Sequence, residues 1–257
     1  MPSPPPSSSP VTRRGTGLLR LAAATLVALS TVAGAQSTPR QFLLDSAAGL
    51  RLHNVTATPV THEGKPGIRV VVADAALSRF EAMTPEARQA AGAFEQLAVL
   101  EGVDFSNGVI EAEIAGAPRK GAPEGARGFV GIAFRLQPDM RTYDAFYLRP
   151  TNGRADDQVR RNHSAQYISH PDWPWFRLRK DTPEKYESYV DLVPGAWTKI
   201  RIEVRGSTAR FYVHGQEQPT LIVGDLKTGA GAKGSVALWL DAGTDAHFRN
   251  LTVTAAP

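Results

Sequence analysis

The sequence contains no cysteine. Disulfides, thiolate nucleophiles and thiolate-held metals are therefore excluded, and the fold must rest on its core alone. A membrane-spanning run is also missing. The longest apolar stretch, from Leu21 to Val32, falls short of the roughly 20 residues that a helix needs to cross a bilayer. No G-x-S-x-G elbow marks a serine nucleophile, no glycine loop opens a helix to hold phosphate, and no H-x-x-x-H pair marks a metal.

Strong net charge is absent once the N-terminus is set aside. Arg13, Arg14 and Arg20 precede the apolar run, which ends in Ala33-Gly34-Ala35, so residues 1–35 read as a signal peptide cleaved before Gln36. The residues after Arg13-Arg14 fit a twin-arginine signal poorly and leave the export route open. The protein is expected to be secreted or periplasmic. Without the three Arg of that segment, 26 Lys+Arg face 25 Asp+Glu, so the pI near 9.5 belongs mostly to the leader. No nucleic-acid partner and no membrane span are expected.

What is present is period-two alternation. Ile110, Ala112 and Ile114 share one face against Val109, Glu111 and Glu113; Val130, Ile132, Phe134 and Leu136 repeat the pattern, as do Ile200, Ile202 and Val204. "WTKIRIEVRGSTARFYVHGQ" and "GSVALWLDAGTDAHFRNLTV" each read as two strands joined by a short turn. One short helix is predicted from Thr84, a cap followed by Pro85 and Glu86, to about Ala93. The expected fold is all-β: one antiparallel two-sheet β-sandwich over residues 36–257, with its core at about 97–254.

"FSNGVIEAEIAG" (105–116), "GFVGIAFR" (128–135), "YDAFYLRP" (143–150), "WTKIRIEV" (197–204) and "ARFYVHGQ" (209–216), closed by the strand pair 234–253, share their order with a known superfamily. The chain resembles concanavalin A-like lectins and glucanases, in the laminin-G-like and keto-disaccharide-hydrolase-like branches. That resemblance implies a jelly roll binding its ligand on a concave sheet. One scaffold of this kind carries lectins, hydrolases and lyases, so it leaves the activity open.

Candidate site residues gather in 141–190, which holds five of the six Tyr and two of the four Trp among nine Arg/Lys, seven Asp/Glu and two His. With Phe146 and Leu148 facing the core, Tyr147 and Arg149 face outward. By the same logic Arg135, Trp239 and Asp241 lie opposite their apolar neighbours, which would put all five on the concave sheet. Aromatic rings stack on sugar C–H faces and planar charged groups pair with hydroxyls, so a carbohydrate is the expected partner. The alternative is a ladder of solvated cross-strand pairs.

The segment 160–175 reads as a second constellation, a loop stiffened by Pro171 and Pro174. It supplies Arg161, Asn162, Gln166, His170 and Trp173 as ligand-binding groups and His163 and Tyr167 as candidate acid and base. An ordered loop packed by its own aromatics explains the same residues. A glucanase acid pair is poorly matched: Glu111-Ala112-Glu113 is followed by Ala115 and Gly116 where family 16 glycoside hydrolases carry their last acid. Gln166-Tyr167-Ile168 likewise departs from the Q-[IV]-H of alginate-lyase jelly rolls. No cofactor is expected. Asp156-Asp157 and Asp241 with Asp245 could offer oxygens to calcium but read more simply as turn acids. Three functions remain in play: a secreted glycan-binding protein, a glycoside hydrolase or lyase, and a laminin-G-like interaction module.

Overall fold

The computed structural model describes residues 1–5, 38–89 and 94–256. Apart from its first five residues, the expected leader lies outside the described residues, as does the expected end of the helix near Ala93. The chain divides at residue 34, and the account below is of the unit Ala35–Pro257.

Among the described residues fifteen strands and four short α-helices follow one another. The first strands are β1 (Arg40–Phe42), β2 (Leu50–His53), β3 (Val55–His62) and β4 (Lys65–Val72). Helices α1 (Asp74–Ala82) and α2 (Pro85–Gln89) lead to β5 (Leu97–Leu100), β6 (Gly108–Pro118), β7 (Val130–Leu136) and β8 (Tyr143–Leu148). After a 3-10 turn at Pro150–Asn152 come α3 (Gln158–Asn162), β9 (Ala165–His170), α4 (Trp175–Asp181) and β10 (Glu187–Ser188). The chain closes with β11 (Thr198–Arg205), β12 (Thr208–Val213), β13 (Leu221–Val223), β14 (Ser235–Leu240) and β15 (Thr244–Ala255). Among the described residues no helix is long and apolar enough to cross a membrane.

The strands form two antiparallel sheets. The eight-stranded sheet runs β13-β12-β11-β6-β15-β4-β3 with β1 also on β15; the seven-stranded sheet runs β10-β9-β8-β7-β14-β5-β2. Their inner faces meet in one core where Phe146 of β8 stacks on Phe211 of β12, ring centroids 5.1 Å apart. Ile132, Phe134, Ile202, Phe211 and Leu238 are fully buried, as alternation requires.

Among the described residues four α-helices form where one helix was expected. Thr84 caps α2 through its hydroxyl, which accepts from Ala87 N at 3.2 Å, and Pro85 opens it. Helix α1, with Asp74 in its first turn and Arg79 in its last, has the charge order the helix dipole favours. In α3 the Asp157 carboxylate accepts from Val159 N and Arg160 N, so this candidate calcium ligand is a helix cap. Of the other three candidates, Asp245 is held by Arg69 at 2.7 Å. Residues 160–175, read as one loop, are the end of α3, all of β9 and the start of α4.

One break in alternation matters for the site. Between the pairs Ala237↔Ala133 and Ser235↔Leu136, two residues of β7 stand opposite one of β14, a β-bulge with Arg135 at φ 56°. The bulge turns Arg135 inward.

Candidate functional site

Cross-strand register places one row of residues straight across the seven-stranded sheet: Glu187, Gln166, Tyr147, Gly131, Trp239 and Leu97 are successive partners on β10, β9, β8, β7, β14 and β5. Because Phe146 and Leu238 face the core, this row lies on the outer face. Gly131 lets the row close up. A Cβ there would sit 2.2 Å from Phe146 O and 2.5 Å from Tyr147 Cβ. With no side chain between them, the Tyr147 and Trp239 rings meet across β7 at 4.8 Å.

At one end of the face lies a hydrogen-bonded cluster of an acid, a histidine and a phenol. Glu95, from the segment before β5, receives a very short hydrogen bond from Tyr143 Oη and lies 2.8 Å from His170 Nδ1. Tyr143 Oη is in turn 2.9 Å from His170 Nδ1 and accepts from Trp239 Nε1 at 2.8 Å. Burial, and then the charge of Glu95, push the Tyr143 pKa well above its ordinary value, so Tyr143 stays a neutral phenol. With Tyr143 donating to one carboxylate oxygen, the other is left to take the Nδ1 proton of His170. That tautomer, assigned from the network, leaves the Nε2 lone pair available. No described residue hydrogen-bonds Nε2. A carboxylate that orients an imidazole with a free nitrogen is the arrangement of a general base.

At the other end Arg149 donates from Nη2 to Tyr147 Oη at 2.7 Å and Gln166 Oε1 at 3.1 Å, and its buried Nε has no partner. Its guanidinium lies 4.8 Å from the Phe129 ring and 5.1 Å from that of Trp175 at the start of α4. Glu187 is gripped by Arg179 through Nε at 2.9 Å and Nη2 at 2.7 Å. His163 Nδ1 is 2.9 Å from Glu187 Oε2 but off the line of a hydrogen bond. Burial foremost lowers the His163 pKa, against the pull of Glu187. A cleft of about 210 Å³ opens beside His163, Glu187 and Tyr189. Asp241 accepts from Gly243 N at 3.0 Å, and burial raises its pKa against the opposing charge of Arg149.

Thus Tyr147, Arg149, Gln166, His170, Trp239 and Asp241 come from the outer face of one sheet, with His163 at its edge. Trp239 is only 7% exposed, whereas Trp175 and Phe176 stand open at 37% and 45%. Trp173 is packed between Arg177 and Lys227, 4.1 and 4.8 Å from its ring. Arg161 is engaged with Tyr189 Oη at 2.9 Å and Asn162 with Gln158 at 2.8 Å, both at the end of α3.

Two further expected site residues lie in the interior. Tyr167 alternates with Gln166 on β9 and therefore points inward, donating to Asp144 Oδ1 at 2.6 Å. Arg135, turned in by the bulge, is fully buried and donates to the carbonyls of Ser106, Gly229 and Gly206 at 3.0, 2.8 and 2.7 Å. Both belong to an interior polar cluster around Asp144, whose pKa burial raises. Glu111 and Glu113 are on the outer face of the other sheet, remote from this chemistry. Glu95 and Tyr143 were not picked out from the sequence. The signal was an acid and an amide, Glu95-Gln96, standing directly before four fully buried apolar residues. Among the described residues no three His, Cys, Asp or Glu side chains are grouped to hold a metal.

Residues 54–254 match the family described as the 3-keto-alpha-glucoside-1,2-lyase-like domain. The chain belongs to this family. Its match begins at β2–β3, well before the core expected at 97. Among solved structures, the carbohydrate binding module CBM66 from Bacillus subtilis aligns at 12% identity over 80% of this chain and 96% of its own, TM-score 0.51. Peanut lectin aligns at 10% identity over 86% and 97%, TM-score 0.49. Domain 4 of AbnA, a GH43 extracellular arabinanase from Geobacillus stearothermophilus in complex with arabinotriose, aligns at 15% identity over 88% and 85%, TM-score 0.41. No curated protein matches the sequence. The likeness to the CBM66 structure is one of fold, a two-sheet jelly roll.

Proposed function

We propose that the outer face of the seven-stranded sheet takes a glycoside and breaks its glycosidic bond by proton transfer, with His170 as the base. The observation that carries this reading is the Glu95–His170–Tyr143 network on that face. The family description supplies a reaction that such a base suits. In a 3-keto-glucoside the carbonyl acidifies the C2 hydrogen. His170 Nε2 takes that proton, the C2–H electrons become the C1=C2 bond, and the C1–O bond breaks. The proton on His170 then passes to the departing oxygen, so no oxidant or reductant enters. Glu95 positions the imidazole and stabilises its cationic form. Tyr143, held neutral, fixes the carboxylate, and Trp239 Nε1 fixes Tyr143.

The test is turnover of a 3-keto-α-glucoside, read as release of the aglycone with loss of the C2 hydrogen. His170→Ala should keep binding and lose about 10²–10⁴-fold in kcat. Trp239→Phe, which keeps a ring but removes the donor to Tyr143, should lower kcat with less effect on KM. Turnover unchanged in His170→Ala sinks the reading. A second reading, glycan binding without turnover, is favoured by the exposed rings of Trp175 and Phe176 at the rim. Sugar binding by a wild type that turns nothing over would select it. The burial of Trp239 fits an interaction module, but membership of a family described by a sugar reaction speaks against it.

We also propose export. The mature protein should begin at Gln36, and N-terminal sequencing of the extracytoplasmic fraction checks it; a cytoplasmic chain retaining Met1 ends that idea.

A further inference from the structure

Where the outer face meets the end of the sandwich, three arginines converge, and the one carboxylate lining their cleft, that of Glu124, forms no ion pair with Arg127 or Arg160 among the described residues. Arg127, in the connection from β6 to β7, and Arg160 of α3 line one cleft of about 560 Å³ together with Thr151 and Glu124. Arg127 Nη1 donates to the carbonyls of Glu124 and Ala126 at 3.0 and 3.2 Å. Arg160 donates from Nε to Asn152 Oδ1 at 2.9 Å and from Nη2 to Thr151 O and Oγ1, both at 3.0 Å. All of these partners are neutral. Among the described residues neither Arg127 nor Arg160 makes an ion pair, and Nε and Nη2 of Arg127 and Nη1 of Arg160 have no described partner.

Arg149 stands behind them. Burial foremost, then the charges of Arg160 and Arg149, lowers the Arg127 pKa, and Glu124 opposes this least of the four. Guanidinium groups crowded together on neutral acceptors repel one another, and an anion in the cleft relieves that repulsion while filling their free donors. The cleft adjoins the outer face at the end away from the proposed base, because Arg149 directly follows β8 there and Asp241 N donates to Phe129 O, two residues from Arg127.

We infer that this cleft binds an oxyanion carried by the glycan, a uronate carboxylate or a sulfate or phosphate ester, and so selects acidic sugars. The inference rests on the outer face being the glycan site. Calorimetry at low ionic strength compares a glucuronate-ended oligosaccharide with its methyl ester, and a sulfated glucoside with its neutral parent; the two pairs separate the sources of charge. In at least one pair the charged form should bind about tenfold or more tightly, with the advantage shrinking as salt rises. Arg127→Gln should abolish that advantage and leave the neutral sugar's affinity unchanged. Arg160→Lys, which keeps the charge but not the fork, should reduce it. Equal binding of charged and neutral forms in both pairs, or an advantage that survives Arg127→Gln, overturns the cleft and leaves the glycan face standing. If no sugar binds but inorganic sulfate raises Tm in wild type and not in Arg127→Gln, the glycan reading falls and the anion site stands. If sulfate too has no effect, both fall.

Discussion

The outer faces of the two sheets are made by the same alternation and become different environments. On the eight-stranded sheet, Lys199, Arg201, Glu203 and Arg205 of β11 alternate with buried Thr198, Ile200, Ile202 and Val204 and stay partly or fully in solvent. Their ion pairs are of the half-exposed kind, such as Arg201 with Glu203 at 2.7 Å and Lys65 with Glu113 at 3.3 Å. Such pairs contribute little, typically about 0–1 kcal/mol. On the seven-stranded sheet every residue of β7 and β8 is buried, inner and outer faces alike. Trp175 of α4 lies against Arg149 there, so the sandwich carries part of a third layer on this side. Antiparallel sandwiches ordinarily leave their outer faces wet. Taking polar groups out of water forces them to pair with one another, and that is how an acid, an imidazole and a phenol come to be hydrogen-bonded together there.

The largest expected effect tests that difference directly. If the outer face of the seven-stranded sheet is a true interior, Tyr147→Ala should cost about 3–5 kcal/mol, as much as Phe134→Ala in the core between the sheets. Urea melts of both variants decide it. A loss below about 1 kcal/mol for Tyr147→Ala would mean that the face is open, and the contrast between the two sheets would collapse.

A smaller effect comes from a sequestered patch on the opposite sheet. His247 of β15 stacks on His62 at 3.9 Å, with Trp197 edge-on to both. Burial, then the neighbouring His62, lowers the His247 pKa from 6.5 to about 4. Between those values the unfolded chain binds a proton that the folded chain refuses. His247 therefore adds nothing unfavourable above pH 6.5 and costs stability as pH falls toward 4, by up to about 3 kcal/mol. Melts at about pH 7.5 and about pH 4.5 should show a steeper acid loss in wild type than in His247→Gln. Equal slopes would show that His247 is hydrated.

The smallest effect belongs to the open part of that same face. Glu111 has no described ion pair or hydrogen-bond partner, so Glu111→Gln should change stability by no more than about 0.5 kcal/mol and leave turnover intact. A loss of activity in this variant would move the chemistry to the other sheet and revive the Glu111–Glu113 acid pair that the sequence matched only poorly.

Much of the fold was legible in the sequence because alternation is a local property. Ile132, Phe134, Ile202, Phe211 and Leu238 are buried where a period of two puts them; the turn at Gly206-Ser207 closes the β11–β12 hairpin read from the chain, while the turn at Gly243 carries the chain from β14 in one sheet to β15 in the other. The same reasoning put Tyr147, Trp239 and Asp241 on one face. It failed at Arg135, because a single extra residue in β7 reverses every face beyond it and nothing in "GIAFRLQP" announces the bulge. It failed again at Tyr167. Residues 160–175 mix charge with aromatics and were read as a loop, so Gln166 and Tyr167 were given one surface, whereas adjacent residues of a strand cannot share a face.

The sequence by itself determined which residues can share a strand face, since the pleat of an extended backbone depends only on neighbours one and two positions away. Only the tertiary structure decided which strands lie side by side, and hence that Glu95 reaches His170, 75 positions further along, and that Tyr143 stands between that pair and Trp239. Strand order is chosen by the burial of both sheets at once. A carboxylate acquires its partner from that choice, however plainly its own neighbours in the chain can be read.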